Sequence, residues 1–553
     1  MKKIDSDVII IGYGPVSRML SVILGQQGHS VTVLERHAYA YPLPRAVCMD
    51  HEIHRAFQAH GCADDFASFG APSPRYQWMN HEWKTLLDID WTVDSISGGP
   101  EAYFFYQPSL EAALDGKVRS FKNVNVLLQH EAKSFTHTDV GVVVDVANNE
   151  TGCAFELHGK YLIGADGANS AVRNSLGIAW NDRGFQADWL VVDVLLNEGV
   201  ELDIPSAGQY CNPERPTTFV PGGIKDGRPL RRWEIMRLPG ESRECLDDTE
   251  YVWGLLERWV KRDQAELVRH AVYTFRSLVA ERWSSGRIFL VGDAAHTMPP
   301  FMGQGMCSGI RDAVNLGWRL DMVLKGHCDS TLLDDYEVER KPHITDIIDT
   351  SVYLGEIVCV ADKELAAKRD QAFFDGSFPP MAAFPHLKRG TLGSVGDDRI
   401  GRLAPHTDVS IDGTTGRMDT LLGTGFTLLM KDADAFASLT EESRALLKLI
   451  GGRYVYLSSS QDARDHAIQD ITGKLTRFFA DTGFSSLLVR PDFYIFGGAR
   501  DASEQATLLN QLHHALKIHD PVSLQGAPQT HVRAASGISF IHDLSLPSGE
   551  HRS

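Results

Sequence analysis

Asp7-Val8-Ile9-Ile10-Ile11-Gly12-Tyr13-Gly14-Pro15-Val16-Ser17, running on to Val31-Thr32-Val33-Leu34-Glu35, is the passage that decides the fold. Its apolar run is too short for a signal-peptide core and reads as a buried strand. Met19, Leu20, Val22, Ile23 and Leu24 then populate a helix that ends before Gly28, and a second apolar strand follows. Strand, tight glycine turn, helix, strand is a βαβ unit, which requires a parallel sheet. Gly12 makes the turn, and Gly14 lets backbone approach a phosphate at the helix start. The third glycine of a dinucleotide fingerprint is replaced by Ser17, small enough to keep helix against strand. Glu35 ends the second strand, where an acid binds a ribose hydroxyl.

Two later stretches return to this theme. Tyr161-Leu162-Ile163 is a strand ending in Gly164-Ala165-Asp166-Gly167. Ile288-Phe289-Leu290-Val291 is another, followed by Gly292-Asp293-Ala294-Ala295-His296-Thr297-Met298-Pro299-Pro300 and Gly303-Gln304-Gly305. A carboxylate such as Asp293 at a strand end can hold the hydroxyls of a polyol or ribose. A helical pattern starts near Gly305, so its free N–H groups and dipole point at negative charge on a ligand.

The chain has 553 residues, enough for two to four domains. It carries a formal net charge of −18 and no long Lys/Arg run, which argues against nucleic acid or an anionic membrane surface as partner. Its eight cysteines are scattered without C-x-x-C spacing or a Cys/His cluster, which argues against a structural zinc site or a dithiol centre. No run of about 18 apolar residues exists, so no membrane span is expected, and the default location is cytoplasmic.

The expected architecture is α/β. A Rossmann-like domain is assembled from residues 1–75, 100–180 and 286–372. Residues 76–99 and 181–285 form an inserted β-sheet domain, with alternation at Leu190-Val191-Val192-Asp193-Val194 and Arg232-Trp233-Glu234-Ile235-Met236. A proline- and glycine-bearing linker covers 373–404. A third unit over 405–553 has strands at 426–429 and 454–457 and a helix near 503–518.

Three signatures thus stand in order: the Gly12 turn with Glu35, Gly164 to Ser170 with Arg173, and Gly292-Asp293 with its Pro-Gly-Gln-Gly tail. In this the chain resembles the class A flavoprotein aromatic hydroxylases of the para-hydroxybenzoate hydroxylase fold. It is most similar to the 3-(3-hydroxyphenyl)propionate hydroxylase and phenol hydroxylase branch. Ser308-Gly309-Ile310-Arg311-Asp312-Ala313, Pro44-Arg45-Ala46, Gln107-Pro108 with Glu111, and Arg231-Arg232-Trp233-Glu234 carry the same likeness. It is strong over residues 5–350. Further on the chain resembles, more loosely, a thioredoxin-like domain without C-x-x-C.

The resemblance implies FAD, NADH or NADPH as electron donor, O2 as co-substrate and no metal. Gly12, Gly14, Pro15, Ser17, Glu35 and Arg36 would hold the ADP half. Arg45 and Gln107 would contact the pyrophosphate and ribitol region. Gly292, Asp293 and Pro300 belong to the ribitol-side motif. Gly303, Gln304, Gly305 and Met306 would line the isoalloxazine. Asp166 and Arg173 belong to a motif linked to both FAD and NAD(P)H. No second nicotinamide fingerprint follows the first, as in this family. The implied reaction is hydroxylation of a phenolic or heteroaromatic ring through a flavin C4a-hydroperoxide. The branch also suggests a homodimer.

The substrate side stays open. Asp50, His51 and His54 are candidates to reach the phenol, against a surface or helix-capping role. Tyr210 and Trp233 are candidates to face the ring, against ordinary sheet packing. Arg228, Arg231 and Arg232 could meet a substrate carboxylate or mobile flavin, with a solvated loop favoured for Arg228. His296 reads as a structural histidine and Cys307 as packing. The competing functions are epoxidation or Baeyer–Villiger oxygenation of a larger polyketide-like substrate, a non-oxygenating flavin oxidoreductase, and a flavin-binding assembly partner.

Overall fold

The computed structural model describes residues 5–39, 45–393, 397–458 and 465–518. Pro44 and the part of the third unit beyond 518 lie outside them. Ser6–Ile11 is the middle of a parallel sheet, with Val8, Ile9 and Ile10 fully buried. It pairs in parallel with Val31–Glu35 on one side and Ala154–Gly164 on the other. Val124–Leu128 extends the first side and Ile288–Leu290 the second. All three sequence signatures therefore leave the same edge of one sheet, at the C-terminal ends of its strands, where such folds bind ligands.

Gly12 shows why this edge needs its glycine. It has φ of +98°, and a Cβ there would sit 2.4 Å from the Ala165 carbonyl oxygen. The Asp166 turn can approach the Gly12 turn only without that atom. Helix Pro15–Gln26 starts with proline in its first turn and no side-chain cap. Helix Gly305–Leu324 packs across it, and Gly309 allows this, because a Cβ would fall 2.5 Å from Val16 Cγ2.

The second sheet is antiparallel through its centre. Its order runs His296–Thr297, Ala265–Ala280, Trp180–Leu196, Arg228–Met236, Thr217–Lys225, Gly208–Cys211, Arg75–Asn80, Thr85–Asp90. His296–Thr297, expected with the dinucleotide domain, thus pairs into this sheet instead. The motif after Ile288–Leu290 bridges the two sheets.

The 373–404 stretch begins on the last turn of helix Lys363–Phe374; beyond it, the described residues carry no helix or strand but an isolated bridge, Leu403 with Tyr494, and Leu387 and Thr391 are fully buried. Beyond it, Thr427–Met430 and Arg453–Leu457 are parallel neighbours, and Ser486–Val489 and Ile495–Ala499 add on antiparallel. Helices Glu441–Leu449 and Ala502–Ala515 accompany them, in a thioredoxin-like order. This unit contains no cysteine, and the chain's eight cysteines, Cys48 to Cys359, are free thiols. Among the described residues no helix is long and apolar enough to cross a membrane.

This unit is fastened to the first sheet's helices by a buried ion cluster. Glu339, on helix Asp334–Val358, meets Arg490 at 2.7 Å and Arg319 at 2.6 Å, and accepts the Thr391 N–H at 2.7 Å. Asp492 holds Arg490 at 2.6 Å. Burial alone would raise the Glu339 pKa, but Arg319 and Arg490 hold it well below the usual range. Glu339→Ala leaves two buried guanidinium groups short of a partner. We expect a loss of about 3–5 kcal/mol in denaturant unfolding. The contribution of Glu339 should be complete above about pH 4.3, its unfolded value, and fade as pH falls towards the lowered folded value.

Candidate active site

A cavity of about 1520 Å³ begins at the C-terminal edge of the parallel sheet and runs under the antiparallel sheet. At the first end its wall holds Gly12, Gly14 and Pro15, then Glu35 and Arg36. The start of helix Pro15–Gln26 faces it without a capping side chain, so its first N–H groups remain for a ligand. Glu35 accepts the N–H groups of Tyr13 and His37, each at 2.9 Å, which fixes its carboxylate at the strand end. Asp166 accepts from Ser170 Oγ at 2.5 Å and the Val172 N–H at 3.1 Å.

Further along lie Asp293, exposed to the cavity, then Pro300, Gly303, Gln304, Gly305 and Met306. Helix Gly305–Leu324 also starts here without a side-chain cap. Gln304 does not point free: its Oε1 accepts from Arg311 at 2.8 Å.

Arg45 and Gln107 are on the wall, in unexpected roles. Gln107 Oε1 accepts both the Arg45 and Ala46 N–H groups at 2.6 Å. Its Nε2 donates to Glu111, which pairs with Arg18. The Gln107 side chain therefore positions the 45–46 backbone and has little capacity left for a ligand.

Three expected cofactor residues stand behind the wall. Ser17 is fully buried in the helix. Gly292 gives its N–H to Asp312 at 3.0 Å. Arg173 donates to the carbonyls of Ala168 and Ala294, with its guanidinium 3.9 Å from the Trp180 ring centroid. It ties the Asp166 turn to the Asp293 turn, which is a positioning task.

The far end of the cavity is built by strand alternation. On Arg228–Met236, Arg232 and Glu234 face the cavity, and Trp233 and Ile235 face a separate apolar cluster. Trp233 as a ring-facing residue is therefore corrected: period two turns it to the opposite face. Tyr210 lies in the same cluster, stacks on Trp83 at 4.9 Å and donates to the His81 carbonyl at 3.0 Å. His54 is corrected too. It is buried and stacked on Tyr103 at 4.0 Å, with its pKa pushed down to about 4 by burial and by Arg417. Arg228 and Arg231 are absent from the wall; they bond to the carbonyls of Leu196 and Ser206.

Asp50 and His51 do reach the cavity, but both are engaged. Asp50 caps helix His51–Ala59 through the Ile53 N–H and meets Arg311 at 2.5 Å. Burial would raise its pKa, and the Arg311 charge outweighs this and keeps it low. A carboxylate so held is a poor proton acceptor. His51 bonds Ser97 at 3.0 Å and lies 3.4 Å from Glu101. His296 is structural, 2.7 Å from Asp312, and burial raises the Cys307 thiol well above its ordinary range.

Arg232 is fully buried and anchored. Asp193 on the neighbouring strand takes its Nε at 2.7 Å and its Nη2 at 3.0 Å, while Nη1 donates to the Arg45 carbonyl at 2.5 Å. Arg269 reaches the same Asp193 at 2.7 Å. Arg269 was not singled out in the sequence, and Glu234 entered only within the stretch that carries the family likeness. The available signal was the charge alternation itself, an Arg-x-Glu pattern on a strand whose charged face is buried. Aromatic walls complete this end: Tyr76 stacks on Trp91 at 4.9 Å, and Trp78, Phe104 and Phe301 lie nearby.

A glycine-turn parallel sheet whose ligand edge opens under an antiparallel sheet defines a flavin-dependent oxygenase fold. Residues 5–351 match the family described as FAD binding domain, and residues 401–515 match the HcaD C-terminal domain. The chain belongs to this FAD-binding family, in its branch of class A aromatic hydroxylases. It is 37% identical over 510 residues to a probable NADH-specific resorcinol 4-hydroxylase of Rhodococcus jostii (strain RHA1), covering 92% of this chain and 94% of that one. It is 32% identical to a 3-(3-hydroxy-phenyl)propionate/3-hydroxycinnamic acid hydroxylase of Mycobacterium sp. (strain JLS), covering 92% of each. The fold is shared with aklavinone-11 hydroxylase bound to FAD and aklavinone, at a TM-score of 0.76 and 22% identity over 93% of this chain and 100% of that one. It is shared too with the flavin-dependent monooxygenase PieE, at 0.77 and 20%, over the same shares.

Asp293→Ala removes a carboxylate that is exposed to the cavity and bonded by none of the described residues. We expect the purified variant to lose most of its bound flavin, read from visible absorbance, with the thermal unfolding midpoint of the flavin-free protein unchanged. Full flavin content would remove Asp293 from the cofactor's partners.

Proposed function

We propose that this protein is an FAD-dependent monooxygenase that uses NADH and O2 to hydroxylate a phenolic ring. The observation that carries this is the single cavity joining a dinucleotide-type edge to an aromatic chamber with an anchored arginine and a carboxylate. FAD suits the first end. Two uncapped helix starts offer N–H groups to its phosphates and to the pyrimidine edge of its ring, and Glu35 and Asp293 offer carboxylates to its hydroxyls. Gly12, Gly14, Pro15 and Arg36 line the ADP side, and Gly303, Gly305 and Met306 the ring side. Arg173, Ser17 and Gly292 support these walls from behind, and Gln107, itself on the wall, positions the 45–46 backbone. When bound and reduced by NADH, FAD supplies the activated oxygen; the protein supplies position and dryness.

The chain's own residues then do three things. Trp78, Trp91, Tyr76 and Phe104 line the chamber with aromatic surface against which a flat ring packs and water is excluded. Arg232, locked by Asp193, places fixed positive charge beside the ring's oxygen. The Gly305 helix start stabilises negative charge that gathers on the cofactor side. The names of the Rhodococcus and Mycobacterium relatives support a small phenol as substrate, and the Rhodococcus name supports NADH.

The test is NADH oxidation in air by FAD-loaded protein, with resorcinol and other phenols, and product masses under ¹⁸O2. We expect a phenol to stimulate oxidation by at least about tenfold and to gain one labelled oxygen, with NADPH a poorer donor. Stimulation without oxygen gain would make the protein a non-oxygenating oxidoreductase. Oxygen gain confined to polycyclic ketones would move it to the larger-substrate oxygenases.

A further inference from the structure

We propose that Glu234 is the group that accepts the proton of the substrate's phenolic hydroxyl. The inference rests on the phenol hydroxylase reading and adds to it the residue that generates the reactive phenolate. Four observations support it.

First, Glu234 is on the wall of the aromatic chamber, and its backbone pairs with Val191 on one side and Thr218 on the other, both also on that wall. Second, its carboxylate is buried, with 9% of the residue exposed, yet no hydrogen bond to it is made by the described residues; among them its one ion pair is with Arg232, at 3.9 Å. A buried carboxylate without donors is costly, and a ligand hydroxyl entering the chamber would satisfy it. Third, the competing acceptors are committed. Asp193 holds Arg232 and Arg269, and Asp50 holds Arg311 and a helix start. Gln209 accepts from Thr218 at 2.6 Å and donates to the Tyr76 hydroxyl at 2.8 Å. Fourth, charge balances across the transfer. Two arginines face two carboxylates, Asp193 and Glu234.

When the phenol O–H bond breaks, a new O–H bond forms on Glu234 and the electron pair stays on the phenolate oxygen. Nothing is oxidised or reduced in this step. Negative charge moves from Glu234 to the phenolate and stays beside Arg232. Burial is the main reason that the Glu234 pKa lies above its ordinary value; Arg232 pulls it down, Asp193 pushes it up and Arg269 pulls it down. Tyr76 also faces it, and burial keeps that phenol firmly protonated. A raised carboxyl is a better match to a phenol than an ordinary one.

Arg269 Nη2 is buried and has no hydrogen-bond partner among the described residues, so it remains a donor for a second polar group on the ring.

The experiment compares FAD-loaded wild type, Glu234→Gln and Glu234→Asp with resorcinol as probe. For wild type we expect turnover to fall as pH drops through the Glu234 titration and to be level above it. Glu234→Gln cannot take a proton but keeps an accepting oxygen. Resorcinol binding to the oxidised protein without NADH, read by flavin absorbance, should stay within about threefold. Turnover at pH 7 should fall about 100-fold. It should then recover as pH approaches about 10, where a phenol ionises unaided. Glu234→Asp should restore the wild-type pH profile in part. Wild-type turnover and profile in Glu234→Gln would overturn the proposal. So would a loss independent of pH that Glu234→Asp shares. If wild type itself oxygenated no phenol, the hydroxylase reading would fall, whatever the variants did.

Discussion

Asp312 is the point on which the geometry of this protein turns. Its carboxylate is completely buried, yet it accepts the Gly292 N–H at 3.0 Å, meets His296 at 2.7 Å and meets Arg340 at 2.9 Å. Burial alone would push its pKa up, and His296 and Arg340 outweigh that and hold it ionised. One carboxylate therefore ties helix Gly305–Leu324 to the turn that carries Asp293, to the short strand that joins the second sheet, and to helix Asp334–Val358. Loss of any one of these contacts leaves a buried charge underpaired, so the arrangement is all-or-none. The helix start at Gly305 and the carboxylate at Asp293 keep their separation because both are anchored to this side chain.

The rest of the cavity uses the same device at smaller scale. Each functional wall is backed by a buried ion pair: Arg311 between Asp50, Glu52 and Gln304, Arg232 and Arg269 on Asp193, Glu111 between Arg18 and Gln107. These pairs contribute little net stability against well-packed apolar residues. Their value is in fixing direction, since an arginine held at both ends of its fork has one orientation. An oxygenase needs its ring oxygen, its cation and its cofactor edge in register, and fixed dipoles deliver that without reorganisation.

Much of this was legible in the chain. The βαβ opening, the strand ends at Gly164 and Leu290, and the helix from Gly305 were readable because they are local: apolar runs of a few residues closed by glycine turns. Fold class and cofactor followed. The substrate end was not readable in the same way. Tyr210 and Trp233 looked suitable as aromatic residues on a strand, but which face of an alternating strand meets a cavity depends on partners far away in sequence. Asp193 meets Arg232 across 39 residues and Arg269 across 76. Without that pairing, Arg232 and Trp233 look equally suited to the pocket although they are neighbours on one strand and face opposite sides of it. Arg232 is the one that meets the cavity, because here the inside of the sheet is the polar side. On sequence alone Asp50 could either reach the phenol or cap a helix, and it caps the helix; Gln107 lies in the expected region with its side chain engaged by the 45–46 backbone. Partners such as these and Arg311 are set by tertiary contact, which no local pattern shows.

The bond from Arg232 to residue 45 ends on a main-chain carbonyl, and the bonds from Gln107 to the same loop end on main-chain N–H groups. On the residue 45 side, the seam between the two sheets is thus written in main-chain atoms, which every amino acid but proline possesses in full. The main-chain atoms of position 45 carry this fastening, whereas positions 107, 193 and 232 contribute to it through their side chains. The location of residues 45–46 is therefore inherited from residues elsewhere in the chain.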